Sequence, residues 1–186
     1  MKRKRISWLA ATGIVSVLAG CGSSSPTPVS TGTAASSAQS AADSAALARY
    51  IERGDQVCSV SNAAIASVNA RGAQLQRRHR GTPDEAALLV PVLREGLHVY
   101  RRYLWRFARI PPPPQEAAPV SAILAGLGKV GNDLERLAGA LARGEVAQAK
   151  AITSQREVDH ARVSAQELEL GFKVCGQPAA QFSASG

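Results

Sequence analysis

Three histidines, His79, His98 and His160, are the side chains of this sequence most suited to holding a metal ion or moving a proton near neutral pH. His160 directly follows Asp159 and completes a Glu-x-x-His motif with Glu157. Adjacent residues of a helix point about 100° apart, so Asp159 and His160 do not easily face one ion. A di-iron bundle needs a second Glu-x-x-His copy, which the sequence lacks. We interpret these residues as a solvated charged surface and expect no metal site.

Other familiar catalytic and cofactor-binding motifs are missing from the sequence. It contains no glycine-rich phosphate loop, no His-Glu-x-x-His and no Cys-x-x-Cys. Met1 is its one methionine, which excludes a methionine haem ligand inside a domain. The sequence therefore predicts a protein that is not an enzyme and that uses no cofactor.

The most unusual chemical feature is a concentration of arginines and aromatic residues in one part of the chain. Residues 43–110 carry 11 cations and 6 acids, a net charge of +5, whereas residues 111–186 carry 7 and 8, a net charge of −1. Such asymmetry has two interpretations, one of which is a face for anionic partners, namely lipid head groups, a wall polymer or an acidic protein. The alternative is a solvated surface on which arginine stems cover the aromatic rings. The expected face comprises Arg77, Arg78, Arg80, Arg101, Arg102, Trp105, Arg106 and Arg109.

The N-terminus has the pattern of an export signal. Four cations, Lys2 to Arg5, precede an apolar run from Ile6 to Leu18. This run is about 13 residues long, whereas a membrane-spanning helix needs roughly 20. The run ends in Leu18-Ala19-Gly20-Cys21, which resembles the lipobox of bacterial lipoproteins. The resemblance implies cleavage after residue 20, a diacylglycerol thioether on Cys21, palmitate, and a lipid-anchored location on the outer face of the cell membrane.

Removal of residues 1–20 changes the charge argument. The whole chain has a net charge of +8 and a pI near 10.0. The signal peptide contains four cations and no acid, which leaves 18 cations and 14 acids, a net charge of +4. Half of the excess positive charge thus belongs to a segment that is removed. An exported protein also does not meet nucleic acid. We expect a membrane association through the lipid and no nucleic-acid partner.

The remaining chain divides into three parts. Residues 21–42 are the lipidated cysteine and a Ser/Thr/Ala/Pro-rich segment that we expect to be a flexible tether. Residues 43–176 form one domain, and residues 177–186 form a polar tail that we expect to fray.

Apolar residues recur in the domain with helical spacing and indicate four helices. We predict helix A over 43–78, helix B from the capping signal at Thr82 to the prolines at 111–114, helix C to 143 and helix D over 145–170. Short connections favour antiparallel neighbours, so the predicted fold is an all-α, up-down-up-down four-helix bundle. The face expected to be buried on helix D consists of Ala147, Ala151, Ser154, Val158, Ala161, Ala165, Leu168 and Phe172.

Cys58 and Cys175 are the two cysteines left for the domain. In an oxidising compartment an even pair favours a disulfide, although two free buried thiols are the alternative. Cys58 lies roughly 33 Å from the A/B turn, and helix D descends roughly 39 Å at 1.5 Å per residue. The antiparallel order therefore brings the two cysteines to a similar depth, which favours one disulfide that closes the bundle.

The domain also resembles a group of small exported lipoproteins from high-GC Gram-positive bacteria, over residues 44–176. The resemblance rests on structural motifs: Tyr50-Ile51, Gly54-Asp55, Val57-Cys58, Asn62, Pro111-Pro112, Gly144-Glu145 and the run from Leu170 to Cys175. It implies the helical fold and the disulfide, but no activity. The sequence departs from the group by the additional Pro113-Pro114 and by the basic turn at Arg77–Arg80.

These observations favour a non-enzymatic interaction module anchored to the membrane. The alternative is a lipoprotein that binds a small ligand in the core of the bundle. The many alanines and glycines expected between helices A and D leave little room for such a ligand, which favours the interaction module.

Overall fold

The computed structural model describes residues 32–82 and 84–177, with only the helical backbone for residues 32–37. Its helices are α1 (Gly32–His79), α2 (Glu85–Phe107), α3 (Ala117–Ala142) and α4 (Val146–Leu170), with a 3₁₀ turn over Pro114–Glu116. This arrangement confirms the all-α four-helix bundle. The expected signal peptide, Cys21, the first part of the tether and the end of the tail lie outside the described residues.

The first helix begins earlier than the sequence analysis predicts. α1 starts at Gly32 instead of residue 43, so residues 32–42 of the expected tether are helical. Five alanines in this stretch explain the difference, since alanine has the highest helix propensity. Tyr50 is nevertheless the first buried side chain of α1, counting from residue 38.

The turn between α1 and α2 also differs from its prediction. The hydroxyl of Thr82 donates to the carbonyl of His79 at 2.7 Å and does not cap α2, whose N-cap residue is Asp84. Glu85 reaches back as the capping signal suggests, but it accepts the backbone N–H of Gly81 at 2.8 Å. Gly81 has φ of 76°, a left-handed conformation that glycine adopts at little cost.

Helices that are neighbours in sequence pack against each other, α1 on α2, α2 on α3 and α3 on α4. The largest buried cluster lies where α2 ends, around the aromatic rings of Tyr50, Tyr103, Phe107 and Phe172. A second, smaller cluster around Leu137 and Ile152 lies toward the turn between α3 and α4. The aromatic cluster therefore anchors the end of the bundle at which α2 finishes.

The segment after α4 fastens the bundle to α1. Cys58 and Cys175 form a disulfide with a Cα–Cα distance of 5.4 Å, which confirms the predicted pair. The Asp55 carboxylate accepts the backbone N–H groups of Lys173, Val174 and Cys175 at 3.0, 2.9 and 3.1 Å. The C-terminal segment thus joins α1 covalently and through three charge-assisted hydrogen bonds.

The predicted buried face of α4 is wrong except at Phe172. Val158 is 56% exposed and Leu168 is 45% exposed, while Ala149, Ile152, Asp159, Val163 and Glu167 face the interior. The inward face contains two acids because they have partners there. Asp159 pairs with Lys129 of α3 at 2.8 Å, and Glu167 accepts from Tyr103 of α2 at 3.3 Å. An apolar stripe with heptad spacing therefore lies on the outside of α4.

Candidate anionic-partner face

The last two turns of α2 present an arginine-rich, solvent-exposed surface. Tyr103 and Phe107 point into the core and thereby fix the rotation of the helix. The opposite side exposes Arg102, Trp105, Arg106 and, just after the helix, Arg109. We call these four residues the lower α2 face, where lower denotes the C-terminal end of α2.

Trp105 is the most informative side chain of the lower α2 face because it is 60% exposed. The Arg109 guanidinium carbon lies 4.4 Å from the centre of the Trp105 ring, which is a cation–π arrangement. The pair follows helical spacing of four residues. A large aromatic ring held in solvent beside a cation has the character of a contact residue in an interface.

Arg101 does not belong to this free surface. It donates to Glu135 of α3 at 2.7 Å, and both side chains of the pair are 59% exposed. Within the described residues, Arg102, Arg106 and Arg109 form no ion pair. Three cations of the lower α2 face are therefore available to an external anion.

The remaining arginines of the expected face lie elsewhere. Arg77 and Arg78 end α1, and Arg80 occupies the turn before α2. α2 then runs for 23 residues away from that turn, about 35 Å at 1.5 Å per residue. The two arginine groups lie at opposite ends of α2 and form no continuous surface.

The structure also identifies residues that the sequence analysis did not select. Arg49 and Arg53 of α1 lie beside the proline segment that follows α2, and their spacing of four residues was the available signal. Asp55 holds the C-terminal segment, although the sequence identified it only as part of a family-like motif. No local pattern distinguishes Glu167, whose partners come from other helices.

Glu167 lies in a buried polar cluster close to the disulfide. Burial raises the pKa of its carboxyl group to about 7, against a hydrogen bond from Tyr103 that lowers it. Burial, and then the nearby Glu167, also raise the pKa of Tyr50 to about 12. The Tyr50 hydroxyl is buried and has no hydrogen-bond partner among the described residues. Glu167 is 4% exposed, so this cluster lies inside the bundle.

The described residues contain neither a cluster suited to a metal ion nor a helix suited to crossing a membrane. Across residues 32–82 and 84–177, no group of three or more His, Cys, Asp or Glu side chains is placed to hold a metal ion. In the same part of the chain, no helix combines the length and apolar character needed to cross a bilayer.

Comparison with family models, with curated proteins and with solved structures finds no match to this chain.

Proposed function

We propose that this chain is an extracytoplasmic lipoprotein, held on the outer face of the cell membrane by lipid on Cys21, and that its bundle binds an anionic partner without catalysis. The exposed Trp105, stacked against Arg109 at 4.4 Å, carries the binding part of the proposal. The candidate partners are an anionic lipid, a wall polymer and an acidic protein. The signal-like N-terminus and the lipobox-like run before Cys21 support the location.

The alternative of a small ligand in the bundle core receives less support. Phe107, Ile123 and Val130 are each 1% exposed, so large side chains fill the interior. Two surface grooves border α1, one beside the proline segment after α2 and one beside residues 171–174, and neither lies between all four helices.

The location is tested by Cys21→Ala in a host that processes lipoproteins. We expect the variant to incorporate no labelled fatty acid and to leave the membrane fraction. A serine substitution at the domain's Cys58 is the matched control, because it removes a different cysteine and should leave lipidation intact. Labelling of the Cys21→Ala variant would contradict the lipoprotein proposal.

The binding part is tested with the unlipidated chain from residue 22 onward. We expect co-sedimentation with anionic vesicles or wall polymer, and weakening by about 3 kcal/mol when Arg102, Arg106 and Arg109 become glutamine, at about 1 kcal/mol per cation. The matched control replaces Arg77, Arg78 and Arg80, which removes equal charge from the opposite end. Equal effects of the two triple variants would show a response to net charge and contradict a defined face.

A further inference from the structure

A surface groove lies between α1 and the proline segment that follows α2. Its volume is about 240 Å³, and no acidic residue lines it. α1 contributes Arg49, Tyr50 and Arg53, among others, and the opposite wall is apolar. The lining residues are Ala46, Arg49, Tyr50, Arg53, Ile110, Pro111, Pro112 and Pro113.

The groove combines two cations with a proline wall that offers no backbone N–H as a hydrogen-bond donor. Arg49 and Arg53 are one helical turn apart, are both exposed, and form no ion pair within the described part of the chain. Proline has no backbone N–H, so the guanidinium groups supply the charged donors of this groove. Guanidinium forks match the oxygen atoms of a phosphate group. The groove therefore suits an anionic phosphate attached to an apolar body.

Along the chain, the groove adjoins the lower α2 face. Ile110, which lines the groove, directly follows Arg109, which stacks on Trp105. Tryptophan is enriched at the level of lipid head groups because its ring is apolar and its N–H is polar. Cations, an apolar wall and an exposed tryptophan together match a phospholipid surface better than they match a polymer free of acyl chains.

On this basis we infer that the groove of Arg49 and Arg53 binds the phosphodiester group of an anionic phospholipid, with Trp105 at the head-group level. This inference rests on the proposed function, because it names the partner of the adjoining face. The chain has the necessary reach. The 11 residues from Cys21 to Gly32 extend to at most about 40 Å, and α1 rises about 26 Å from Gly32 to Arg49. The groove can therefore touch the membrane that anchors the chain, with the bundle lying on its side.

The test uses the lipid-anchored protein, in which Trp105 is the remaining tryptophan because Trp8 lies in the removed residues 1–20. The protein is reconstituted into phosphatidylcholine vesicles with or without phosphatidylglycerol, and quenching of Trp105 by brominated lipid reports docking. We expect docking with phosphatidylglycerol, and its loss as salt rises from about 0.1 M to about 1 M. Arg49→Gln with Arg53→Gln should lower the ratio of docked to free domain about thirtyfold, since each cation contributes near an anionic surface.

The control is Arg94→Gln with Lys150→Gln, which removes two other exposed cations. It should change the ratio at most a few-fold, and circular dichroism establishes that both variants remain helical. If the groove variant docks like the control while wild type still requires phosphatidylglycerol, the groove assignment is overturned and the proposed function stands. If wild type docks to no anionic surface, the proposed function itself fails.

Two further experiments distinguish a phospholipid from other phosphate-containing ligands of the groove. Inorganic phosphate should displace the domain from phosphatidylglycerol vesicles no more than chloride does at equal ionic strength, and a larger displacement would identify a site for a free anion and overturn the lipid assignment. Purified wall polymer should not displace the domain from phosphatidylglycerol vesicles at equal phosphate concentration. Displacement that depends on Arg49 and Arg53 would assign the groove to the polymer instead.

Discussion

Asp55 and Cys175 are joined by a hydrogen bond in which the cysteine's backbone N–H donates to the carboxylate at 3.1 Å. The same cysteine is bonded through its sulfur to Cys58, three residues further along α1. One short stretch of α1 therefore holds the C-terminal segment by two chemically different means. They can be removed separately, and each removal should have its own measurable cost.

Replacement of Asp55 by alanine should lower the free energy of unfolding by about 3 kcal/mol. The reason is that three backbone N–H groups lose a charged acceptor together, and two of them belong to half-buried or buried residues. Asp55→Asn keeps an acceptor oxygen and should lose less. Denaturant titration measures both variants, with the exposed Glu52→Ala as the control on the same helix. Equal stability of the Asp55→Ala and Glu52→Ala variants would contradict a structural role for the three hydrogen bonds to Asp55.

Replacement of both Cys58 and Cys175 by serine should cost about 4–5 kcal/mol, because the bond closes a loop with a sequence separation of 117 residues. Denaturant titration of oxidised wild type and of the double variant gives the difference. A non-reduced digest should also yield one linked peptide pair. Recovery of two separately alkylated thiols from exported protein would be incompatible with the disulfide.

Glu167 should make the protein less stable as the pH rises. Its pKa is raised from 4.5 to about 7 in the folded protein, so the folded state retains a proton that the unfolded state releases. The free energy of unfolding should therefore fall by about 3 kcal/mol between about pH 4.5 and pH 7 and then level off. Below pH 4.5 both states hold the proton, and this contribution is fully present.

The glutamine variant tests this dependence, because its amide does not ionise. Glu167→Gln should abolish the decline and be more stable than wild type above pH 7, as followed by thermal unfolding across the pH range. Glu157→Gln, an exposed change on the same helix, should leave the decline in place. A decline that persists in the Glu167→Gln variant must originate from another group.

Gly54 and Gly128 should respond to alanine with opposite signs. An added Cβ at Gly54 would lie 2.4 Å from Cε1 of the buried Phe172 ring, so the substitution should cost about 1–3 kcal/mol. At Gly128 of α3 nothing lies within 4 Å of the added carbon, and a helical alanine should gain about 0.5–1 kcal/mol. Chemical denaturation measures both. Stabilisation by Gly54→Ala would show that Phe172 moves aside without cost.

Regular spacing made most of the fold predictable from the sequence. Gly144 and Gly171 directly follow the predicted ends of helices C and D at residues 143 and 170, and their φ angles of 72° and 103° are those of helix-terminating glycines. The depth argument placed Cys58 beside Cys175 because it used only helix rise and chain direction. Features that depend on helix length and chain direction were therefore predictable.

The rotation of α4 was not predictable in this way. Its outer stripe has regular apolar spacing, whereas its inner stripe includes Asp159 and Glu167, which looked like solvent-exposed residues. The hydrogen bond from Gln155 and then Lys129 of α3 lower the pKa of Asp159, and Tyr103 of α2 bonds to Glu167. Lys129 and Tyr103 come from other helices, so the sequence of α4 alone does not reveal them. The same limit applies to the candidate face, since charge counts could not show that α2 separates Arg80 from Trp105.

The attachment of the C-terminal segment to α1 has a consequence for the order in which the domain is completed. Phe172, which fills the space beside Gly54, and Cys175, which bonds to Cys58, are among the last residues of the domain to leave the ribosome. All four helices can thus be synthesised before the aromatic cluster has its final ring. A chain that stops at Leu170 would contain every helix of the bundle. It would lack both the disulfide to Cys58 and the hydrogen bonds to the Asp55 carboxylate.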